Sequence, residues 1–307
     1  MSQRFPTLTI AALAAVFAAP SMAAAQVNTP AADGNATDSI AAPADGDALL
    51  AQAREAATSA SLTARLRYQC DLFGRRLIGT GGYAQGSADP PQFRLELRLQ
   101  FPDFVATLQQ ICDGEHLWIR REMHGHKPPL ETVNLRQVLY EQQNRPSAAA
   151  SEINGLKWAS LPQLFDGLAA GFHFVTYGVH AVDGIQVHAL EGKWRPAALA
   201  NLYPEAREAI ANGSAQPDLA KLPEHVPDQV FVLLRVNDLF PYRVEYRRTR
   251  RERSIVGLSR DVTTTLMRLE FYDVARGATV EPATFQFTPG DEPIIDRTAE
   301  VIAKLPP

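Results

Sequence analysis

Two histidines, His124 and His126, are the residues of this chain whose types and spacing most readily suggest chemistry. Imidazoles two residues apart could both bind one metal ion if the segment were an extended strand, because alternate side chains of a strand point to the same side. Gly125 and Pro128 instead predict a loop, and no cysteine or cluster of carboxylates completes a ligand set. We therefore predict no metal site and no cofactor.

The sequence also lacks the common catalytic motifs. It contains no Gly-x-Ser-x-Gly turn, no His-Glu-x-x-His helix and no glycine loop of the kind that holds phosphates. Asp71, Asp103 and Asp113 fall at the ends of predicted strands and in turns, where aspartate is common. We predict that the protein is not an enzyme.

The segment Arg243–Arg253 is the most basic part of the chain. One interpretation is a patch for anionic lipid head groups. The other is a solvated hairpin whose polar face carries Arg243, Glu245 and Arg247. The chain as a whole has a net charge of −4 with both signs interspersed, which argues against a nucleic-acid partner.

Cys70 and Cys112 are the two cysteines of the sequence, and each lies near the end of a predicted strand. An exported protein can form a disulfide between them. The alternative is two buried thiols on strands that are not neighbours, because a disulfide requires Cα atoms within roughly 7 Å of each other. Both alternatives remain open from the sequence.

The elements that would position any site are organised around one strand, Phe93–Phe101. Its apolar residues occupy every second position, and arginine, glutamate and glutamine occupy the others. This alternation predicts a strand with one apolar and one polar face. A strand buried on both faces would be apolar throughout, so the sheet is predicted to be antiparallel.

The chain begins with features of a secretory signal peptide. A basic start, the apolar run 8–19 and the small residues Ala23–Ala25 predict cleavage after Ala25. Residues 26–47 contain hardly any large apolar side chain and predict a disordered tether. The remainder, 48–307, is predicted to be one domain. We thus expect a soluble, exported, periplasmic protein.

Within that domain, the pattern predicts a first helix at 48–59 capped by Asp47, and then a meander of five strands from Leu62 to Glu122. Glycines in the segment 75–85 predict a twisted or bulged strand. Helices are predicted at 134–143 and 161–170, and an insertion at about 196–227. The remaining strands are predicted at 172–179, 185–191, 229–236, 242–248, 264–273 and 284–287.

The fold class is therefore predicted to be α+β, with a large, curved antiparallel sheet and a few helices on its concave face. These helices can cover only part of the apolar face, and the rest would line a cavity. The candidate wall of this cavity consists of large apolar side chains: Phe93, Leu95, Leu97, Leu99, Phe101, Trp118, Phe165 and Leu168.

This layout resembles the LolA/LolB family of periplasmic lipoprotein carriers and receptors. The residues that carry the resemblance are the strand Phe93-x-Leu-x-Leu-x-Leu, the segment Pro282–Gly290 and the tail Ile294–Asp296. The resemblance implies a half-open β-barrel with a helical lid and a soluble carrier, since no cysteine for lipid attachment is present at the cleavage site. Its partners would be lipid acyl chains or lipidated proteins, and envelope membrane proteins. The alternative is an interaction or sensor module on the same fold.

Overall fold

The computed structural model describes residues 45–58, 61–72, 75–87, 92–101, 104–124, 126–144, 160–219, 222–253 and 259–303. The predicted signal peptide lies outside these residues. The predicted tether does so too, except for its last three residues. Gly46 and Asp47 belong to the first helix rather than to the tether, and Asp45 precedes that helix.

The strands of the described chain form one sheet of twelve. In chain order they are β1 (Leu62–Leu72), β2 (Arg75–Gln85), β3 (Phe93–Gln100), β4 (Val105–Cys112), β5 (His116–Met123), β6 (Leu130–Asn134), β7 (Phe172–Val182), β8 (Ile185–Trp194), β9 (Gln229–Arg235), β10 (Pro241–Arg253), β11 (Ser259–Arg276) and β12 (Ile294–Asp296).

The sheet consists of two meanders joined along one strand pair. In the first meander, β1 to β6 each pair with the next strand in the chain, and in the second meander β7 to β11 do the same. Strand β1 pairs with β11 in the middle of the sheet. The pairing is antiparallel except at β12, which runs parallel to β6 over three residues. The sheet is open, with β12 and β7 at its edges. These features confirm the predicted α+β class and half-open arrangement.

The described residues contain six α-helices. They are α1 (Gly46–Thr58), α2 (Leu135–Gln143), α3 (Leu161–Gly171), α4 (Pro196–Ala200), α5 (Arg207–Ala211) and α6 (Thr298–Ala303). Helices α1, α2 and α3 contribute apolar side chains to the main core. We call the side of the sheet on which Leu97 lies the inner face, and the opposite side the outer face. No helix among the described residues combines the length and the hydrophobicity that a membrane span requires.

The region predicted as an insertion, 196–227, has a small core of its own. Helices α4 and α5 bury Leu199 and Ile210 together with Leu222. The guanidinium of Arg248, on β10, donates to the backbone oxygens of Leu219, Leu222, Pro223 and Val226. A buried arginine thus fastens this region to the sheet.

The strands differ from the prediction at several points. Strand β2 pairs with β1 and β3 without any shift in register, so the alternative of a bulged strand was wrong, whereas the alternative of a twisted strand stays a prediction. Residues 284–287 do not form a strand: Pro282–Phe285 is a short 3-10 helix, because proline fits its first turn. Strand β6 was missed.

The predicted alternative of a disulfide is also wrong, because Cys70 and Cys112 are both free and buried. Strands β2 and β3 separate the strands that carry them. Three strand spacings amount to about 14 Å, twice the separation that a disulfide tolerates. Burial raises the pKa of both thiols, that of Cys112 to about 12.

Candidate functional site

The inner face of β3 forms an apolar surface. Phe93, Leu95, Leu97 and Leu99 are between 0 and 5% exposed, and Phe101 at the end of the strand is 4% exposed. All five belong to one hydrophobic cluster. The inward orientation predicted from the alternation is therefore confirmed.

Two glycines of β2 make room for these leucines. Gly81 is paired with Leu97 and Gly79 with Leu99. A Cβ atom on Gly81 would lie 1.9 Å from the backbone oxygen of Glu96, and one on Gly79 would lie 2.6 Å from a methyl group of Leu99. The glycines thus allow the leucine side chains to lie against the neighbouring strand.

Helix α3 supplies the opposite wall. Phe165 and Leu168 are each 1% exposed and belong to the same cluster as the β3 side chains. Leu49 and Leu50 of α1 join them. Seven of the eight predicted wall residues are therefore brought together between the helices and the sheet.

Trp118 is the exception, because it lies on the outer face. Cys112 and Leu117 share a face with Phe93, whereas Trp118 pairs with Ile111, which pairs with Arg94 on the polar side of β3. The indole stacks on Phe287 of the C-terminal segment, with ring centroids 5.3 Å apart. Strand β5 has apolar residues at both parities, so its sequence alone could not assign a face to Trp118.

A buried polar relay interrupts the apolar inner face at one end. Tyr83 pairs with Leu95, and Gln85 pairs with Phe93. The Tyr83 hydroxyl donates to Gln85 Oε1 at 2.7 Å, and it accepts the Leu161 N–H at 3.1 Å. Gln85 Nε2 donates to the Ala57 oxygen at 2.6 Å. The relay joins β2 to the end of α1 and to the start of α3.

Both side chains of this relay are buried. Tyr83 is 4% exposed and Gln85 is 3% exposed. Desolvation is the main reason why the pKa of Tyr83 is raised, so its hydroxyl remains a hydrogen-bond donor at neutral pH and well into the alkaline range.

Asp47 fastens the other end of α1 to the edge of the sheet. Its Oδ1 accepts the Phe174 N–H at 2.9 Å, and its Oδ2 lies 2.7 Å from His173 Nδ1 and 2.9 Å from Arg195 Nη2. Arg195 also donates to the Ala169 oxygen of α3. The carboxylate therefore connects α1, β7 and α3.

The prediction that Asp47 caps α1 was wrong. Asp45 Oδ1 accepts the backbone N–H of Asp47, and Asp45 thus occupies the capping position. Partial burial raises the pKa of Asp47, but the hydrogen bonds from Phe174 and His173 and the charge of Arg195 outweigh it and hold this pKa below its usual value. Asp47 is thus ionised at neutral pH.

The basic segment of β10 begins in an ion-pair network on the outer face. The Glu245 side chain is 3% exposed and lies 2.5 Å from Arg247, 2.8 Å from Arg268 and 3.8 Å from Arg243. This part of the segment is therefore paired rather than solvated. Among the described residues, no group of three or more histidine, cysteine or acidic side chains is placed to hold a metal ion.

Comparisons with known proteins give matches in structure only. No protein-family model and no curated protein matches the chain. The solved structures that match include MucB in the MucA/MucB complex of Pseudomonas aeruginosa, with 13% identity, a TM-score of 0.37 and coverage of 79% of this chain and 60% of that chain.

Two further matches come from other bacteria. LprF from Mycobacterium bovis is 9% identical over 76% of this chain and 94% of that chain, with a TM-score of 0.37. A LolA superfamily protein from Nitrosomonas europaea is 11% identical over 79% and 98%, with a TM-score of 0.25.

These overlaps are too loose to transfer a function. The chain also spans only about 60% of the length of the MucB chain it matches. The open sheet with helices on its inner face nevertheless has the layout that the resemblance to the LolA/LolB family implied.

Proposed function

We propose that the protein is an exported, periplasmic carrier that binds the acyl chain of a lipid or of a lipidated protein against the inner face of its sheet. The observation that carries this proposal is the continuous hydrocarbon surface of β3, faced by Phe165 and Leu168. An alkyl chain contributes roughly 0.8 kcal/mol for each methylene removed from water, so a long chain can bind such a surface without specific polar contacts.

The way in which the helices are attached supports this proposal. Helices α1 and α3 meet the sheet through apolar side chains in the middle and through polar contacts at their ends, namely the Tyr83–Gln85 relay and the Asp47 carboxylate. In this structure the wall residues are at most 5% exposed. A ligand would therefore take the place of helix side chains, and the two helices would move away from β3.

The test is a titration of the purified protein with a fluorescent fatty acid, together with native mass spectrometry of protein isolated from the cell envelope. We expect saturable binding and co-purified acyl chains. Phe165→Leu should weaken probe binding, because it reshapes the wall. Trp118→Leu is the matched control and should leave binding unchanged, since Trp118 lies on the outer face.

A second candidate is an envelope interaction or sensor module on the same fold. One observation favours it: the inner-face side chains are packed by the helices in this structure. Absence of both co-purified acyl chains and saturable probe binding would support this function over the carrier.

A further inference from the structure

Gln110, on β4, is a polar residue of the inner face whose side-chain oxygen lacks a hydrogen bond. It pairs with Leu95 on β3 and with Ile119 on β5, and Leu108 and Cys112 flank it on the same side of its own strand. Gln110 is 8% exposed. Its Oε1 is buried and accepts no hydrogen bond within the part of the chain that the structure describes. An acceptor is thus enclosed by apolar side chains without a donor.

The polar side chains on the other side of Leu95 differ from Gln110 in this respect. Tyr83 lies in the same row across the sheet, because it pairs with Leu95 from β2. Its hydroxyl donates to Gln85 and accepts the Leu161 N–H, so the protein itself satisfies these groups. A buried acceptor without a donor destabilises a folded protein, and most buried polar groups have a partner. The oxygen of Gln110 therefore points to a partner that is not part of the described chain.

Gln110 also lies between the two pairs of helices that pack on the inner face. Helices α1 and α3 pack against each other and against β7, and their hydrogen bonds to Gln85 and Tyr83 extend as far as β2. Helices α2 and α6 pack against each other, and against β5 and β6 respectively. Strands β3 and β4 lie between these two attachments. Directly opposed residues have Cβ atoms about 5 Å apart, so a ligand that lies along Leu95 would be beside Gln110.

We propose that Gln110 binds a hydrogen-bond donor, a hydroxyl or an N–H group, that adjoins the alkyl chain of the ligand. The partner must be a donor, because the oxygen of a carboxamide can only accept. The rest of the ligand must be apolar, because it would lie along Leu95, Leu97 and Leu99. This inference rests on the proposed function and specifies the polar group of its ligand.

The test compares two isomers, dodecanol and methyl undecyl ether, of which only the alcohol can donate a hydrogen bond. Each displaces a dansyl-labelled fatty acid from the full-length protein, and the ratio of the two affinities is the readout. We expect the alcohol to bind about tenfold more tightly, the effect of roughly one hydrogen bond. Gln110→Met retains the length of the side chain and removes the acceptor. The ratio should then fall to about one or below, because the ether is the more readily desolvated isomer.

Gln109→Met is the matched control. Gln109 is the neighbouring residue on the outer face, where its Nε2 donates to Glu96, so this variant should keep the preference for the alcohol. Thermal unfolding without ligand gives a second readout. Gln110→Met should raise the melting temperature by about 2–4 °C, because it removes a buried acceptor that has no donor. A glutamine with a purely structural role would instead stabilise the fold, and its loss would lower the melting temperature.

Three results would overturn this inference and leave the carrier function standing. The first is equal affinity of the two isomers for the unaltered protein, and the second is a preference for the alcohol that survives in Gln110→Met. The third is a lower melting temperature of Gln110→Met, or its failure to fold, since the oxygen would then have a partner within the protein. Absence of saturable binding of both isomers and of the fatty-acid probe would overturn the carrier function as well.

Two further ligands distinguish the sources of the donor. Monolauroylglycerol carries the hydroxyl groups of a lipid, and N-lauroylglycine methyl ester carries the N–H of an acylated polypeptide. The ligand whose affinity falls about tenfold in Gln110→Met, but not in Gln109→Met, is the one whose donor contacts Gln110. Unchanged affinity of both ligands in Gln110→Met would contradict the inference.

Discussion

The two faces of the same sheet are covered in different ways. Helices α1 and α3 cover the inner face with apolar side chains, and their polar contacts with the sheet lie near the helix ends. The two helices are joined to each other by the ion pair of Arg54 and Asp166. The outer face is covered by ion pairs such as the cluster around Glu245, and by the C-terminal segment that stacks Phe287 on Trp118.

We infer from this difference on which face a ligand could replace the side chains that pack against the sheet. Ion pairs on the outer face are specific and directional, and removal of one partner leaves a buried charge. Apolar contacts on the inner face are non-directional, so an alkyl chain can replace them at a similar free energy. This comparison is the reason why we propose the inner face as the lipid-binding surface.

The largest effect should follow a charge on the inner face. Leu97→Asp removes a buried leucine and buries an unpaired carboxylate, so we expect the free energy of unfolding to fall by about 4 kcal/mol or more. Arg98→Asp is the matched control on the exposed side of β3 and should change stability by less than about 0.5 kcal/mol. Urea denaturation measures both, and equal losses would contradict the assignment of faces.

The glycines of β2 offer a second matched pair. Gly81→Ala places a methyl group against the Glu96 oxygen, and we expect a loss of about 1–3 kcal/mol from overpacking. Gly82→Ala, one residue along, meets nothing within 4 Å and should be neutral within about 0.5 kcal/mol. Thermal unfolding of the two variants compares them directly, and a neutral Gly81→Ala would argue against the close approach of β2 and β3.

The Asp47 carboxylate should contribute a pH-dependent part of the stability. Asp47→Ala should cost roughly 1.5–3 kcal/mol at pH 7, the range for hydrogen bonds to a charged group. Since the pKa of Asp47 is lowered in the folded state, its contribution is complete above the unfolded value of 3.8 and is lost as the pH falls through the folded value.

Denaturation at a series of pH values checks this sign. The difference in stability between the unaltered protein and Asp47→Ala should be constant from pH 7 to about pH 5 and should shrink below that. A difference that grows towards acid pH would contradict the described contacts of Asp47.

The smallest effect should come from the outer-face stack. A double-mutant cycle with Trp118→Ala and Phe287→Ala should give a coupling energy of about 0.5–1.5 kcal/mol, typical of aromatic pairs. Neither substitution should alter binding of a fatty-acid probe. A change in probe affinity in either variant would indicate that Trp118 contributes to the ligand site and would contradict its exclusion from that site.

Much of the fold could be predicted from the sequence because it depends on local alternation. Strand β3 repeats its pattern over eight residues, and the inward orientation of Leu97 follows from parity alone. The interpretation of Trp118 failed because β5 carries Leu117 and Ile119 at one parity and Trp118 at the other, so only its register with β4 decides the face.

The polar contacts of the site were missed for a different reason. Asp47 reaches Phe174 and Arg195, which are more than a hundred residues away in the sequence, and no local pattern indicates such a contact. The available signals were Gln85 and Gln110, which are polar residues at the inward parity of their strands. A carboxamide at such a position requires a buried partner.

Hydrogen–deuterium exchange with and without bound dodecanoic acid tests the central claim most directly. If ligand binds the inner face by displacing the helices, exchange should change at 46–58 and 161–171, while the outer-face segment 282–296 should exchange as before. A change confined to 282–296, or protection of strands without any change in α1 and α3 at saturating ligand, would contradict the account.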